Sequence, residues 1–534
     1  MVPKTVSSSP VVSRPGPLGS AQRVPVPDAR LLGLLDAWLP AQRWYPVKGL
    51  AVRHVPWMSF ALTDRCTLHL LRIVGDGVDL VIQVPLVLTP AGGTPPVTGP
   101  TDARSPGTGT TRAPLPGLVG FVPETAAAPG GPQGGASVVE VSGAPLAVHD
   151  GATHPDLWVA LLGALERAGE VRQDARGGTG GPVDRDVHED HDHHHDDHGH
   201  RPVDLTGART VGGEQSNSSV ILPGVAGGSI LKILRTIAIG PNPDVVVPDA
   251  LARVGWTGVP RPLGWVEATW ELLDVPADAP ALGPARTAHL AVLSELVTDA
   301  RDGFELACAY AAQDTSFADL AADLGRTLAS MHRALREALP TGPPLEAGWL
   351  LGDLRRRARE ACASSAPLGR RAAQVEAFLD GVAERLAREE APPPVLQAIH
   401  GDMHLGQALH ARGDGWKILD FEGEPLRPVA ERTRPDLPLR DVAGIVRSLD
   451  YAAAVGGARS PRWTTTARTA FVEAYRREIG EDDGTAGLSV STTEALLRAL
   501  VLDKALYEVV YESRNRPAWE PIPLTAVDRL LGGR

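Results

Sequence analysis

Cysteine is scarce: Cys66, Cys308 and Cys362 are the only three in 534 residues. They lie far apart and show neither metal-ligand spacing nor the density of a disulfide framework, which implies a reducing compartment. Basic residues are not in excess. The formal net charge is −12 and no basic stripe is present, which argues against electrostatic binding of nucleic acid. Long apolar runs are missing too. Residues 80–88 form about the longest and contain Pro85, far short of a membrane span. The N-terminus is rich in Ser, Pro and Val but has no continuous apolar segment, so no secretion signal is expected. These absences point to a cytoplasmic protein with no membrane or nucleic-acid partner. Apolar content is ordinary for a globular protein, at 43%. The length exceeds what one hydrophobic core holds, so two or three units are expected.

The most informative segment is His400-Gly401-Asp402-Met403-His404-Leu405-Gly406-Gln407, followed shortly by Asp420-Phe421-Glu422. Residues 407–410 read as one strand and 416–420 as its return, with Asp414-Gly415 at the turn. Antiparallel pairing brings Gln407 and Asp420 to the same end of this hairpin. Phosphoryl transfer to a hydroxyl needs a carboxylate near the acceptor and oxygen ligands for Mg²⁺ beside the nucleotide phosphates. Asp402 supplies the first. Gln407 and Asp420 supply oxygens suited to a hard cation, which keeps waters and phosphates as its other ligands.

Upstream, residues 218–222 and 229–234 read as a hairpin around a Pro223-Gly224 to Gly228 turn. Lys232 lies inside its second strand. A lysine there, after a Gly/Ser-rich segment, is read as the residue that holds nucleotide phosphates. The small side chains of Ser216, Asn217 and Ser218 and their backbone N–H groups suit phosphate oxygens. Residues 290–297 read as a strand leading to a hinge whose backbone near Glu295 and Val297 would meet adenine. Two stripes at helical spacing, Leu320, Leu324, Leu328, Met331, Leu335 and then Val375, Phe378, Leu379, Val382, Leu386, are read as core. Asp441 is expected to cap a helix that turns Val442, Ile445, Val446 and Leu449 inward.

Nearer the N-terminus, residues 1–27 read as a flexible tail. Residues 28–170 read as a cap domain, with a helix after Asp28, paired strands at 68–74 and 79–88, a helix at 157–165, and a Pro/Gly/Thr-rich disordered insertion at 89–118. Trp44 and Tyr45 are expected as core anchors. Residues 171–203 form a low-complexity insertion with His188, His191, His193, His194, His195, His198 and His200 among aspartates. Such a tract binds divalent metal loosely but lacks the fixed geometry of a catalytic site. Residues 204–300 and 301–534 read as the two lobes of a kinase.

The HGDxHxxQ segment with Asp420-Phe421-Glu422-Gly423-Glu424-Pro425 resembles the actinobacterial maltokinases, relatives of the aminoglycoside phosphotransferases. Aminoglycoside-type kinases usually carry Asn where Gln407 stands; maltokinases carry Gln. Four further segments are similar to that family. Gln42-Arg43-Trp44-Tyr45-Pro46-Val47-Lys48-Gly49 resembles its QRWF-x-x-K-G, and Gly213-Glu214-Gln215-Ser216-Asn217-Ser218-Ser219 its GEQSNTS. Asp302-Gly303-Phe304-Glu305 resembles its DGWE. The run from Leu502-Asp503-Lys504-Ala505-Leu506-Tyr507-Glu508 to Asn515-Arg516-Pro517 resembles the LDKAxYEVVYExxNRP of maltokinases and of their fusions to trehalose synthase.

The resemblance implies an α+β, bilobal, protein-kinase-like fold of the aminoglycoside phosphotransferase type with an extra N-terminal α/β cap. It implies ATP and Mg²⁺ as cofactors and the reaction ATP plus maltose to ADP plus maltose 1-phosphate. That product would feed α-glucan (glycogen) synthesis through a maltosyltransferase, with trehalose synthase as physical or pathway partner. Asp402 would act on the anomeric hydroxyl, and Gln407 and Asp420 would hold Mg²⁺. Lys232 would hold phosphates, and His404 would donate to the acceptor. Arg447, Tyr451, Tyr511, Glu512 and Asn515 suit sugar recognition; packing and salt bridges are the other reading of the same residues. One departure stands out. The family's glutamate partner for the lysine is Val246 here, which leaves Asp244 or Asp249 as substitutes. The rival readings are another small-molecule kinase of this fold, or a weakly active pseudokinase subunit of trehalose synthase.

Overall fold

The computed structural model describes residues 22–75, 77–90, 117–122, 145–174, 203–212, 216–271, 285–423, 432, 434–480 and 488–532. The histidine tract, most of the 89–118 insertion, Gly213-Glu214-Gln215 and Glu424-Pro425 lie outside these residues. The chain forms two compact units. Residues 1–245 with 262–296 make the first, and residues 246–261 with 297–534 the second.

The first unit carries two antiparallel sheets. The larger runs in the order Gln22–Arg23, Val52–Ala61, Cys66–Gly75, Val78–Pro90, Leu146–Asp150, Leu118–Val122, with Thr236–Ile237 pairing beside Val78–Pro90. Its spine is the pair Cys66–Gly75 and Val78–Pro90, registered from Cys66 opposite Val87 to Gly75 opposite Val78. Gly77 closes the turn at φ +73°, a conformation that costs glycine nothing. The strands reach further than the sequence suggests. Gln22–Arg23, inside the expected tail, pairs with Ala61 and Phe60. Thr89 and Pro90 belong to a strand, and Leu118 begins another. The second sheet runs Pro262–Glu271, Ala285–Glu295, Ser229–Ile233, Ser218–Leu222, Arg209–Thr210.

The helix Pro155–Asp174 joins these sheets into one core. Leu157, Trp158, Leu161 and Leu162 bury against Met58, Leu68 and Leu70 of the larger sheet and Val220, Leu231 and Leu290 of the smaller. Trp44 and Tyr45 are buried in the apolar layer on the N-terminal side, as expected of core anchors.

The second unit is helical around a three-stranded sheet of Ala300–Asp302, Ala408–Ala411 and Gly415–Ile418. Both leucine-rich stripes face its core. Leu324, Leu328, Met331 and Leu335 of the helix Ala318–Ala338 are fully buried, and Val375, Leu379 and Val382 of the helix Ala372–Ala387 nearly so. The helix Leu439–Gly456 starts two residues before Asp441, with Pro438 as its first flanking residue. Asp441 is therefore not its cap, and its buried carboxylate is engaged elsewhere. No helix among the described residues is long and apolar enough to cross a membrane.

Candidate active site

The hairpin forms as its sequence requires, one residue displaced at its start. Leu405–Gln407 is a 3-10 turn, and the strands Ala408–Ala411 and Gly415–Ile418 pair with Ala408 opposite Ile418. Leu419 N–H donates to the Gln407 carbonyl at 2.8 Å, which carries the pairing past the last rung. Gln407 and Asp420 consequently meet. The Gln407 amide Nε2 donates to Asp420 Oδ2 at 3.0 Å. Asp420 has φ +62°, in the left-handed region that aspartate tolerates better than most residues. An amide oxygen and a carboxylate held side by side are an oxygen donor set, and this fits a hard divalent cation.

Asp402 is held by two neighbours, His400 and Lys504. Its amide donates to His400 Nδ1 at 3.3 Å, while His400 Nε2 donates to the Leu419 carbonyl at 2.7 Å, so one imidazole ties the loop to the return strand. Lys504 Nζ donates to Asp402 Oδ1 at 3.0 Å from the helix Val490–Asn515. Beside them a small cavity is lined by Met403, Arg440, Gly444, Leu500, Asp503 and Lys504. His404 accepts the Gly406 N–H through Nδ1 at 3.1 Å, which leaves Nε2 as the protonated nitrogen of a neutral ring. Burial lowers its pKa, with the nearby Asp402 working in the opposite sense.

Behind this loop stands Asp441, whose role the sequence did not reveal. Its Oδ2 accepts His400 N–H at 2.7 Å and its Oδ1 accepts Gly401 N–H at 2.9 Å. His332 Nε2 lies 3.0 Å from the same carboxylate, and Tyr475 OH 2.9 Å from His332 Nδ1. Burial alone would raise the Asp441 pKa, but the hydrogen bond and charge of His332, with the His400 contacts, hold it below the usual carboxylate range. One turn on, Gly444 lets the helix touch the loop: a Cβ there would stand 2.1 Å from the Met403 carbonyl oxygen. Lys504 and Asp441 were both missed because each contact joins segments remote in sequence; a helix start next to a proline was the only local signal for Asp441.

In the first unit, Lys232 has a partner. Its Nζ forms a 2.6 Å ion pair with Asp244 Oδ2, on the first turn of the helix Pro243–Arg253. Asp249, the other substitute considered, pairs with Arg253. Val246 packs partly buried against apolar neighbours of the second unit's core. Ser216 is exposed, whereas Asn217 is buried. The side-chain oxygens of Asn217 and Ser218 both accept from Arg235, at 2.9 Å each. Glu295 ends its strand exposed, and the next N–H, of Leu296, donates to the Gly228 carbonyl at 3.1 Å. Val297 begins the longer segment of the second unit.

The expected sugar contacts divide into two groups. Arg447 has no exposed side-chain surface. It pairs with Glu508 at 2.7 Å and Asp450 at 2.5 Å. Tyr451 OH donates to Glu512 Oε1 at 3.2 Å, and Arg516 holds Glu512 through both oxygens. Burial, Glu508 and Glu512 push the Tyr451 hydroxyl pKa up. Arg447, Tyr451 and Glu512 thus form a buried network of ion pairs and hydrogen bonds, the arrangement that the packing and salt-bridge reading of these three residues describes. The reason is local: Asp450 and Glu508 are within reach of a guanidinium that has left water, and such a charge must be paired. Tyr511 and Asn515 lie nearer the surface, with Tyr511 stacked on Tyr507 at 6.2 Å between centroids and Asn515 Nδ2 donating to the Tyr511 carbonyl at 2.9 Å.

An HGD loop braced by Asp441, a hairpin joining Gln407 to Asp420 and, in the first unit, a strand lysine paired with a helix aspartate are the parts of a phosphotransferase of the kinase-like class. Residues 306–488 match the phosphotransferase enzyme family (APH). A glucosamine kinase of Mycolicibacterium smegmatis is 31% identical over 351 residues, which cover 61% of this chain and 80% of that protein. Another from Streptacidiphilus jiangxiensis is 29% identical over 354 residues, covering 62% and 75%. The chain therefore belongs to the phosphotransferase enzyme family. Among solved structures, a glucosamine kinase in complex with glucosamine, ADP and inorganic phosphate aligns over 95% of this chain and 99% of its own, with TM-score 0.54 and 22% identity. That likeness carries the fold, a kinase-like domain preceded by a β-rich N-terminal region.

Proposed function

We propose that this chain is a sugar kinase that transfers the γ-phosphoryl group of ATP, with Mg²⁺, to a sugar hydroxyl. The observation that carries the reading is the placement of Asp402 on the same loop-and-hairpin unit as the Gln407–Asp420 pair. Asp402 would orient and accept the acceptor proton, and Gln407 and Asp420 would hold the cation. Lys232, aligned by Asp244, would hold phosphates, which Ser216 and the neighbouring backbone would cover. His404 Nε2–H would donate to the acceptor, and Tyr511 and Asn515 would border it. Bound Mg²⁺ would neutralise charge on the transferring phosphoryl group. Glucosamine is the first acceptor to consider, because two glucosamine kinases are 31% and 29% identical to this chain.

Maltose, phosphorylated at its anomeric hydroxyl, is the second reading. The Leu502-to-Pro517 and Gly213-to-Ser219 segments favour it, and in that case the link to trehalose synthase and a maltosyltransferase follows. Incubation with ATP, Mg²⁺ and each sugar, followed by ADP release and phosphorus NMR of the product, decides between them. Turnover with glucosamine alone removes the maltose reading; turnover with neither sugar removes both.

A further inference from the structure

Arg235 is fully buried, yet it reaches four separate parts of the first unit. Its Nη2 donates to both oxygens of Asp150, at 2.9 and 2.7 Å, where the strand Leu146–Asp150 ends. Its Nε donates to Ser218 Oγ and its own amide to Asn217 Oδ1, each at 2.9 Å. Its guanidinium lies 4.2 Å from the Trp44 ring centroid, and its carbonyl accepts Gln83 N–H at 2.7 Å. Trp44, Gln83 and Asp150 come from the N-terminal region, whereas Asn217 and Ser218 open the first strand of the hairpin that bears Lys232.

Stability alone does not explain this cluster. A buried ion pair seldom outperforms well-packed apolar side chains, and its best-attested use is to fix register. Arg235 Nη1 and Trp44 Nε1 moreover remain buried donors without a hydrogen-bond partner among the described residues. Natural structures keep few such groups. What the cluster does provide is orientation. Ser218 Oγ is held by the guanidinium and Asn217 Oδ1 by the backbone N–H of the same residue, whose side chain is itself clamped to the N-terminal sheet.

We propose that Arg235 is a positioning residue through which Asp150 and Trp44 of the N-terminal region set the geometry at Asn217–Ser218 and thereby the affinity for nucleotide. The inference rests on the kinase reading above, in which this segment covers the phosphates. It gives the β-rich N-terminal region a role in nucleotide binding without a contact to the nucleotide.

Isothermal titration of MgADP into the full chain, with acceptor kinetics and thermal melting alongside, tests it. Arg235→Lys and Asp150→Asn are expected to weaken MgADP by about ten-fold, the scale of one charge-assisted hydrogen bond, while acceptor KM stays within about two-fold. Trp44→Leu keeps every hydrogen bond of the cluster and serves if the charge variants fail to fold; it is expected to weaken MgADP by about three-fold. A lowered melting temperature with MgADP affinity unchanged would make the cluster a brace only and overturn the inference. Equal losses for nucleotide and acceptor would overturn it as well. A wild-type chain that binds no MgADP would refute the kinase reading itself, which is a separate result.

Discussion

Lys504 Nζ lies 3.0 Å from Asp402 Oδ1, although 102 residues separate them. The ammonium occupies one carboxylate oxygen and keeps the group oriented beside the loop. Asp402→Asn preserves shape but removes the carboxylate proposed as proton acceptor. It is expected to cut turnover by about 10²–10⁴-fold while nucleotide affinity stays within about two-fold. Steady-state kinetics with calorimetric nucleotide titration check this; near-native turnover would show that Asp402 is not the base.

The Lys232–Asp244 pair supplies the lysine's partner that Val246 does not. Asp244→Ala is expected to lower turnover by about ten-fold, since it removes a charge-assisted hydrogen bond that orients the lysine. Val246→Glu places a carboxylate among apolar neighbours and beside an aspartate already in use, so it should lower activity. A faster Val246→Glu enzyme with a silent Asp244→Ala variant would contradict the geometry.

Asp420→Asn is a clean probe of the cation, because asparagine tolerates the left-handed backbone at φ +62° as well as aspartate does. The variant should fold normally and lose Mg²⁺-dependent nucleotide binding, measurable by titration with and without the metal. Unaltered dependence on Mg²⁺ would move the cation to other ligands.

Asp441 predicts an acid-sensitive fold. Its folded pKa is held below the unfolded value, so its contribution to stability is present above the ordinary carboxylate range and is lost as pH falls through the folded pKa. Asp441→Asn should therefore flatten the loss of stability below about pH 4. Asp441→Ala, which strands His332 and two backbone N–H groups, should cost about 3–5 kcal/mol at neutral pH. Urea unfolding across pH gives both; an unchanged acid limb in Asp441→Asn would rule out this carboxylate as its source.

Local signals were legible wherever chemistry and structure lie close in sequence. The strand Ser218–Leu222 falls where its alternation puts it, and the Asp414-Gly415 turn sets a register that joins Gln407 to Asp420. Contacts between remote segments were not legible. Nothing near Lys504 announces Asp402, and nothing near Arg235 announces Asp150. Asp441 was misjudged because an acidic residue early in a helix reads as a cap, whereas Pro438 had already opened the helix and freed that carboxylate for the loop. Arg447, Tyr451 and Glu512 were assigned to sugar by residue type, which says what a side chain can bond but not whether it is enclosed.

The close approach of Gly444 to Met403 has a practical corollary for engineering. Loop and helix there behave as one casting: any side chain at Gly444, or any loss at Asp441, displaces Asp402 along with its support. Selection for a new acceptor would find few tolerated changes on the helix Leu439–Gly456. Tyr507, Tyr511 and Asn515 lie instead towards the surface of the helix Val490–Asn515, and on the kinase reading proposed above a library confined to those positions would vary what is phosphorylated while sparing the loop.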